Sequence, residues 1–165
     1  VTVVDRSGDL PVTLDEVRAF LRVTNSVEDA LIEGLILPAT EIVESESGEA
    51  IMPQTIRASY EGASGPLRLP IGPPTEIIGV TIGGDLQDPA HYEPLAGKYP
   101  SLSGAFSGDV SVLYRAGHEG GAPSVLKHAV LLTIADMYEG RTSHEFEQSA
   151  ARHLLNRAGY RRVAI

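Results

Sequence analysis

Cysteine is absent from this chain of 165 residues. That excludes disulfides, thiolate metal sites and a cysteine nucleophile. No apolar run approaches the ~20 residues that a membrane-spanning helix needs. The opening VTVV is too short for the apolar core of a signal peptide. The chain starts at Val1 rather than Met, which reads as trimming or as numbering from a mature chain. These absences fit a product of the cytoplasm that later joins an assembly. Basic residues are the scarcer charge: 13 Lys and Arg stand against 22 Asp and Glu, a net charge of −9. A broad cationic surface for nucleic acid is therefore not expected.

Chemical motifs are also missing. The histidines, His91, His118, His128, His144 and His153, are scattered. His144-Glu145 is not followed by a second histidine at helical spacing, so the zinc-hydrolase pattern fails. GHEGG (117–121) is glycine-rich but lacks the Lys-Ser/Thr ending of a phosphate loop, and reads as a turn. The serines of SLSGAFSG form no nucleophile elbow. The tyrosines are spread along the chain rather than gathered into a stacking platform. No catalytic, cofactor-binding or metal-ligating residue is expected.

What is present is helical patterning at both ends. VTLDEVRAFLRV (12–23) predicts a helix, with Thr13 and Glu16 spaced as a capping box. VEDALIEGLILPATEIVESESGEA (27–50) predicts a second, capped by Ser26. Its apolar stripe is Leu31, Ile32, Leu35, Ile36, Ala39, Ile42 and Val43. Its other face is acidic: Glu33, Glu41 and Glu44, continuing into Glu46. Pro38 should kink or split this helix. A third helix is expected from about Pro123 to Glu139, apolar nearly all round and so central in a core. A fourth should start at a Thr142–Glu145 box and stop at Gly159. Leu31, Leu35, Ile36, Val125, Leu126 and Leu132 are expected to share one core.

Between the second and third helices the pattern changes. Residues 1–11 read as an arm or short strand. TIRASY (55–60), TEIIGVTIGG (75–84) and DVSVLYRAG (109–117) read as strands of a small antiparallel sheet. HYEPLAG and KYPSLSG (91–104) read as short strands or as a loop around Gly97. The Gly- and Pro-rich stretch 84–108 reads either as loops that become ordered against a neighbouring copy or a partner protein, or as a plain mobile surface loop. The fold class expected is α+β: a bundle of three to four helices with an antiparallel β subdomain inserted between the second and third main helices. One domain spans 1–165. Its helical body covers about 12–50 and 122–159, its β insertion about 51–118 and its tail 160–165.

TLDEVRAFLRV, then EDALIEGLI, then a Glu-rich run into Gly48 and Pro53-Gln54-Thr55 resembles the opening of head–tail connector (adaptor) proteins of long-tailed phages and related gene transfer particles. RLPIGPPTEIIGVTI (68–82) resembles a strand of that family. DVSVLYRAGHEGGAPSVLKHAVLLTIADMYEGR (109–141) resembles its strand, Gly-rich turn, Pro-started helix and Tyr-Glu-x-Arg ending. The likeness covers most of residues 10–141. The family's Thr-Gly-Arg type turn is replaced here by SESGEA, so a role tied to that Arg is not carried over.

The resemblance implies a non-enzymatic virion protein, made in the host bacterial cytoplasm and located at the head–tail junction. It implies a homo-oligomeric ring of about twelve copies in closed cyclic symmetry. Such a ring sits between the portal protein and a tail-side connector or stopper protein, and extends the channel for double-stranded DNA. The other reading left open is a small ligand-binding or enzymatic module with a loop-built site.

Charge distribution adds two expectations. After Glu147 no acid follows, whereas Arg152, Arg157, Arg161 and Arg162 are basic. The C-terminal element Arg152, Arg157, Tyr160, Arg161, Arg162, Val163 and Ile165 is the candidate portal-binding surface. The other reading is that its arginines complement the last helix's dipole and the chain's own acidic face. Glu33, Glu41, Glu44 and Glu46 are expected to face water. They would lie either on a plain solvated surface or along the channel, where like charge keeps DNA mobile.

Overall fold

A computed structural model describes residues 1–95, 100–118, 120–140 and 149–160. The fold is α+β, as the sequence predicts. The described residues form two compact units: residues 1–8 with 52–118, and residues 9–51 with 120–140 and 149–160.

The helical unit contains α1 (Leu14–Leu21), α2 (Asp29–Ser47), α3 (Ser124–Tyr138) and α4 (Ala150–Arg157). The capping box at α1 is made: the Glu16 N–H donates to Thr13 Oγ1 at 3.2 Å and the Thr13 N–H to Glu16 Oε2 at 2.7 Å. Both orphan donors are satisfied reciprocally. Ser26 does not cap α2; Glu28 holds the N-cap position without a side-chain bond. The turn is instead tightened one step earlier, where Asn25 Oδ1 accepts the Val27 N–H at 3.1 Å. Pro38 lies inside α2 without splitting it. Pro38 and Gly34, whose carbonyl loses its partner, are both exposed, so water can satisfy that group.

The core of this unit joins Val17, Ile32, Ile36, Val43, Leu126, Val130, Ile134 and Leu155, all 1 % exposed or less. Leu35 and Leu132 are half-buried against it. Leu31 is a correction: it is 56 % exposed. The apolar arc of α2 is wider than one core can cover, and Leu31 sits on its far flank. α3 packs closely against both α2 and α4, whereas α2 and α4 touch only slightly. Thr40 and Thr133 are buried in this core with their hydroxyls bonded back to Ile36 O and Ala129 O. α4 is capped by Ser149, whose side chain accepts the Arg152 N–H at 3.2 Å. The Thr142–Glu145 box lies outside the described residues.

The β unit contains β1 (Thr2–Arg6), β2 (Gln54–Ser64), β3 (Leu67–Arg68), β4 (Pro74–Ile82), β5 (Asp85–Leu86), β6 (Tyr92–Leu95), β7 (Ser101–Gly104) and β8 (Ser107–Ala116). A five-stranded antiparallel sheet runs β1-β2-β8-β4-β5, and a three-stranded one β3-β7-β6. The N-terminal arm thus completes the sheet. Alternation on β8 buries Val110, Val112, Tyr114 and Ala116, with Ile56 opposite Tyr114 and Ala58 opposite Val112. Gly83 and Gly84, at φ +58° and +97°, make the two-residue turn between β4 and β5 that needs a left-handed backbone.

The stretch 84–108 takes the short-strand alternative: β5, β6, β7 and a 3-10 turn (Pro89–His91) occupy most of its described residues. Within it Leu102 and Phe106 are buried, 0 % and 5 % exposed.

Candidate interaction surfaces

Among the described residues no group of three or more His, Asp or Glu side chains could hold a metal ion. No helix among them is long and apolar enough to cross a membrane. A pocket of about 140 Å³ is lined by Ile82, Gln87, His91, Tyr92, Ala105 and Phe106. A shallow groove of about 440 Å³ runs over the sheet at Arg57, Ile78, Gly79, Thr81, Leu86, Ser111 and Leu113. No carboxylate lines either, so neither pairs an acid with a base.

Two tyrosines tie the β unit together. The Tyr114 hydroxyl donates to Ile71 O at 3.0 Å and accepts the Ile71 N–H at 3.2 Å. The Tyr60 hydroxyl donates to Arg68 O. Burial raises the pKa of both phenols, that of Tyr60 to about 12. Both stay neutral donors and act as struts, not as titrating groups.

The acidic face of α2 divides. Glu33 and Glu41 are exposed. Glu44 is a correction: it is 8 % exposed and accepts the Ile51 N–H at 2.8 Å. It lies on the inward side of the last turn, beside Val43 and Ser47, where the returning backbone needs an acceptor. Glu46 is half-buried and accepts from Arg152 Nη1 at 3.0 Å. Sequence reading missed Glu44 because nothing local shows that the chain folds back over its carboxylate. It also missed Glu28, which accepts from the Tyr138 hydroxyl and raises that phenol's pKa.

The basic C-terminal set divides as well. Arg152 is held by Glu46 within the helical unit. Arg157 is exposed on the last turn of α4. Tyr160 is half-buried against the helical core; burial and the nearby Glu49 carboxylate raise its pKa. Arg161, Arg162, Val163 and Ile165 lie outside the described residues. The sequence did not anticipate the exposure of Val27 in the turn before α2, 89 %, or of Leu31 and Leu37 on α2, 56 % and 41 %.

No protein-family model and no curated protein sequence matches this chain. Solved structures do match. A chain in the neck of an empty gene transfer agent (GTA) particle, solved with C6 symmetry, superposes with a TM-score of 0.74 at 20 % identity, over 98 % of this chain and 96 % of that one. The fold is that of a GTA neck protein. A chain of the native GTA virion gives 0.72 at 19 % identity, covering 98 % of this chain and 96 % of that one. One from the neck of the native GTA particle, solved with C12 symmetry, gives 0.66 at 17 % identity, over 100 % and 97 %. These matches agree with the resemblance to head–tail connectors read in the sequence.

Proposed function

We propose that this protein is a protomer of the head–tail connector (adaptor) ring in a phage or gene transfer particle. The observation that supports it is the fold shared along nearly the whole chain with GTA neck structures of sixfold and twelvefold symmetry. In this reading about twelve copies close a ring with cyclic symmetry. The portal protein binds on one side and a tail-side connector or stopper on the other. Double-stranded DNA passes through without sequence-specific contact, and the net charge of −9 suits passage without adhesion. The protein works by assembly and catalyses no reaction.

The portal contact is assigned to the C-terminal element Arg157, Tyr160, Arg161, Arg162, Val163 and Ile165, Arg152 of the same set being engaged by Glu46. Its arginines would pair with carboxylates and its apolar residues anchor on the partner. Tyr160, packed on the helical core, holds the start of that tail. Electron cryomicroscopy of the native particle tests the reading. A ring of this chain between portal and tail is expected; its absence from the neck overturns the proposal. Deletion of 160–165 should leave a folded protein that no longer joins portal-containing capsids. Undiminished joining would move the docking surface elsewhere.

A further inference from the structure

The five-stranded sheet has one face that its own core leaves open. On β2 and β8 the alternation that buries Ile56, Val112 and Tyr114 turns Arg57, Ser111 and Leu113 the other way. Arg57 stands opposite Leu113, and Leu113 opposite Gly79 on β4. Gly79 leaves a hollow in that row, and a Cβ built there would lie 3.4 Å from Leu86 Cδ1. The result is the groove of about 440 Å³, with Ile78 and Leu86 on it 43 % and 75 % exposed. Its one charged residue is Arg57. Arg115, on the same face, is paired with Glu76 at 2.8 Å. No ion pair among the described residues holds Arg57. A nucleic-acid backbone would satisfy Arg57 but leave Ile78, Leu86 and Leu113 wet. The groove suits an apolar occupant that carries a carboxylate.

α2 presents such a face. Ala30, Glu33, Gly34 and Leu37 are all exposed and recur at i, i+3, i+4 and i+7, the spacing of a helix laid in a groove. At helical spacing they fall within about 100° of arc. A Cβ on Gly34 meets nothing within 4 Å, so the helix backbone there can approach a flat surface closely. Glu33 has no ion pair among the described residues. It stands one turn before Leu37, so a docked helix delivers a carboxylate and an apolar side chain together. Glu41, one turn beyond Leu37, is engaged within the chain and takes no part.

Both faces belong to one chain, and both are open in the single copy. A closed ring needs two different faces that fit each other, each used once by every copy. We propose that neighbouring copies in the ring meet head to tail, the Ala30–Glu33–Leu37 face of α2 in one copy lying in the sheet groove of the next, with Glu33 paired to Arg57. The inference rests on the ring reading above.

Charge reversal tests the pairing. Arg57→Glu alone and Glu33→Arg alone should each lose ring assembly, while the free proteins melt as wild type does. In a head-to-tail ring the two changes carried by one chain face each other at every contact, so the double variant should restore the ring. Rings formed at wild-type yield by either single variant overturn the contact, as does a folded double variant that forms none. An intact ring of Arg57→Glu that has lost the portal or the tail gives the groove to that partner, and overturns the contact too. The cysteine-free chain supplies a second readout. In particles carrying Leu37→Cys and Ser111→Cys together, a short bis-maleimide should link copies into a ladder that ends in the closed ring. Each single variant should stay monomeric. A double variant that stays monomeric inside a visible ring overturns the contact, as does linkage of either single variant. A wild-type particle whose neck holds no ring of this chain overturns the functional reading itself, and the contact with it.

Discussion

The carboxylate of Glu44 and the backbone N–H of Ile51 are joined by a buried hydrogen bond of 2.8 Å. It closes the chain over the end of α2, where Gly48 adopts φ +72° as the helix C-cap. A charged acceptor in a dry site is costly unless it is used, and here it satisfies a donor that helix and sheet both leave open.

Removing that acceptor should be expensive. Glu44→Ala leaves the Ile51 N–H buried and unpaired, and should cost about 1–3 kcal/mol. Glu44→Gln keeps a carbonyl oxygen in place and should cost less. Urea unfolding of the two variants checks the order; equal losses would show that the hydrogen bond contributes little.

The two flanks of α2 should respond differently. Ile36, 1 % exposed, fills the core, so Ile36→Ala should cost about 2–5 kcal/mol. Leu31→Ala in the free protein should stay within about 0.5 kcal/mol. Thermal melts of the unassembled variants separate these outcomes.

Gly117 is fixed by space as well as by backbone angle. Its φ is +133°, and a Cβ there would lie 2.7 Å from Met52 O and 2.7 Å from Pro53 Cα. Gly117→Ala must push apart two backbone segments, so a loss of at least about 1–3 kcal/mol is expected. Gly120→Ala, where a Cβ meets nothing within 4 Å, is the control. A melting temperature equally unchanged in both would contradict the close approach.

The capping box should leave a pH signature. Hydrogen bonding to the Thr13 backbone N–H holds the Glu16 carboxyl below its ordinary 4.5. The folded state then binds fewer protons than the unfolded one near that pH. The box's contribution is fully present above pH 4.5 and is lost as pH falls through the lower folded value. Glu16→Gln should flatten the acid side of the stability profile, and Thr13→Ala should cost roughly 0.5–2 kcal/mol at neutral pH. An acid limb of unchanged slope in Glu16→Gln would show that another carboxylate sets it.

The sequence by itself determined the elements whose causes are local. Thr13 and Glu16 cap α1 because three residues bring each side chain to the other's N–H. The apolar run of α3 marks a central helix because most of its surface is apolar, with Ser124, His128 and Asp136 left exposed. The alternation Val110, Val112, Tyr114 makes a strand with one buried side. Only the tertiary structure decided matters that depend on residues distant in the chain. Leu31 and Ile36 look alike in sequence, but only one arc of α2 finds neighbours, so one is outside and the other inside. Glu33 and Glu44 look alike too, until the backbone returns at Ile51 and gives the second a partner. The stretch 84–108 has weak local preference, and its short strands form because β3, β6 and β7 satisfy one another's backbone groups. The arginines divide for the same reason: Arg152 meets Glu46 across 106 residues of chain, while Arg157, one turn further on, remains on the surface. Helical period and caps act over a few residues and are written locally; which face is covered is settled by elements that meet only when the chain has folded.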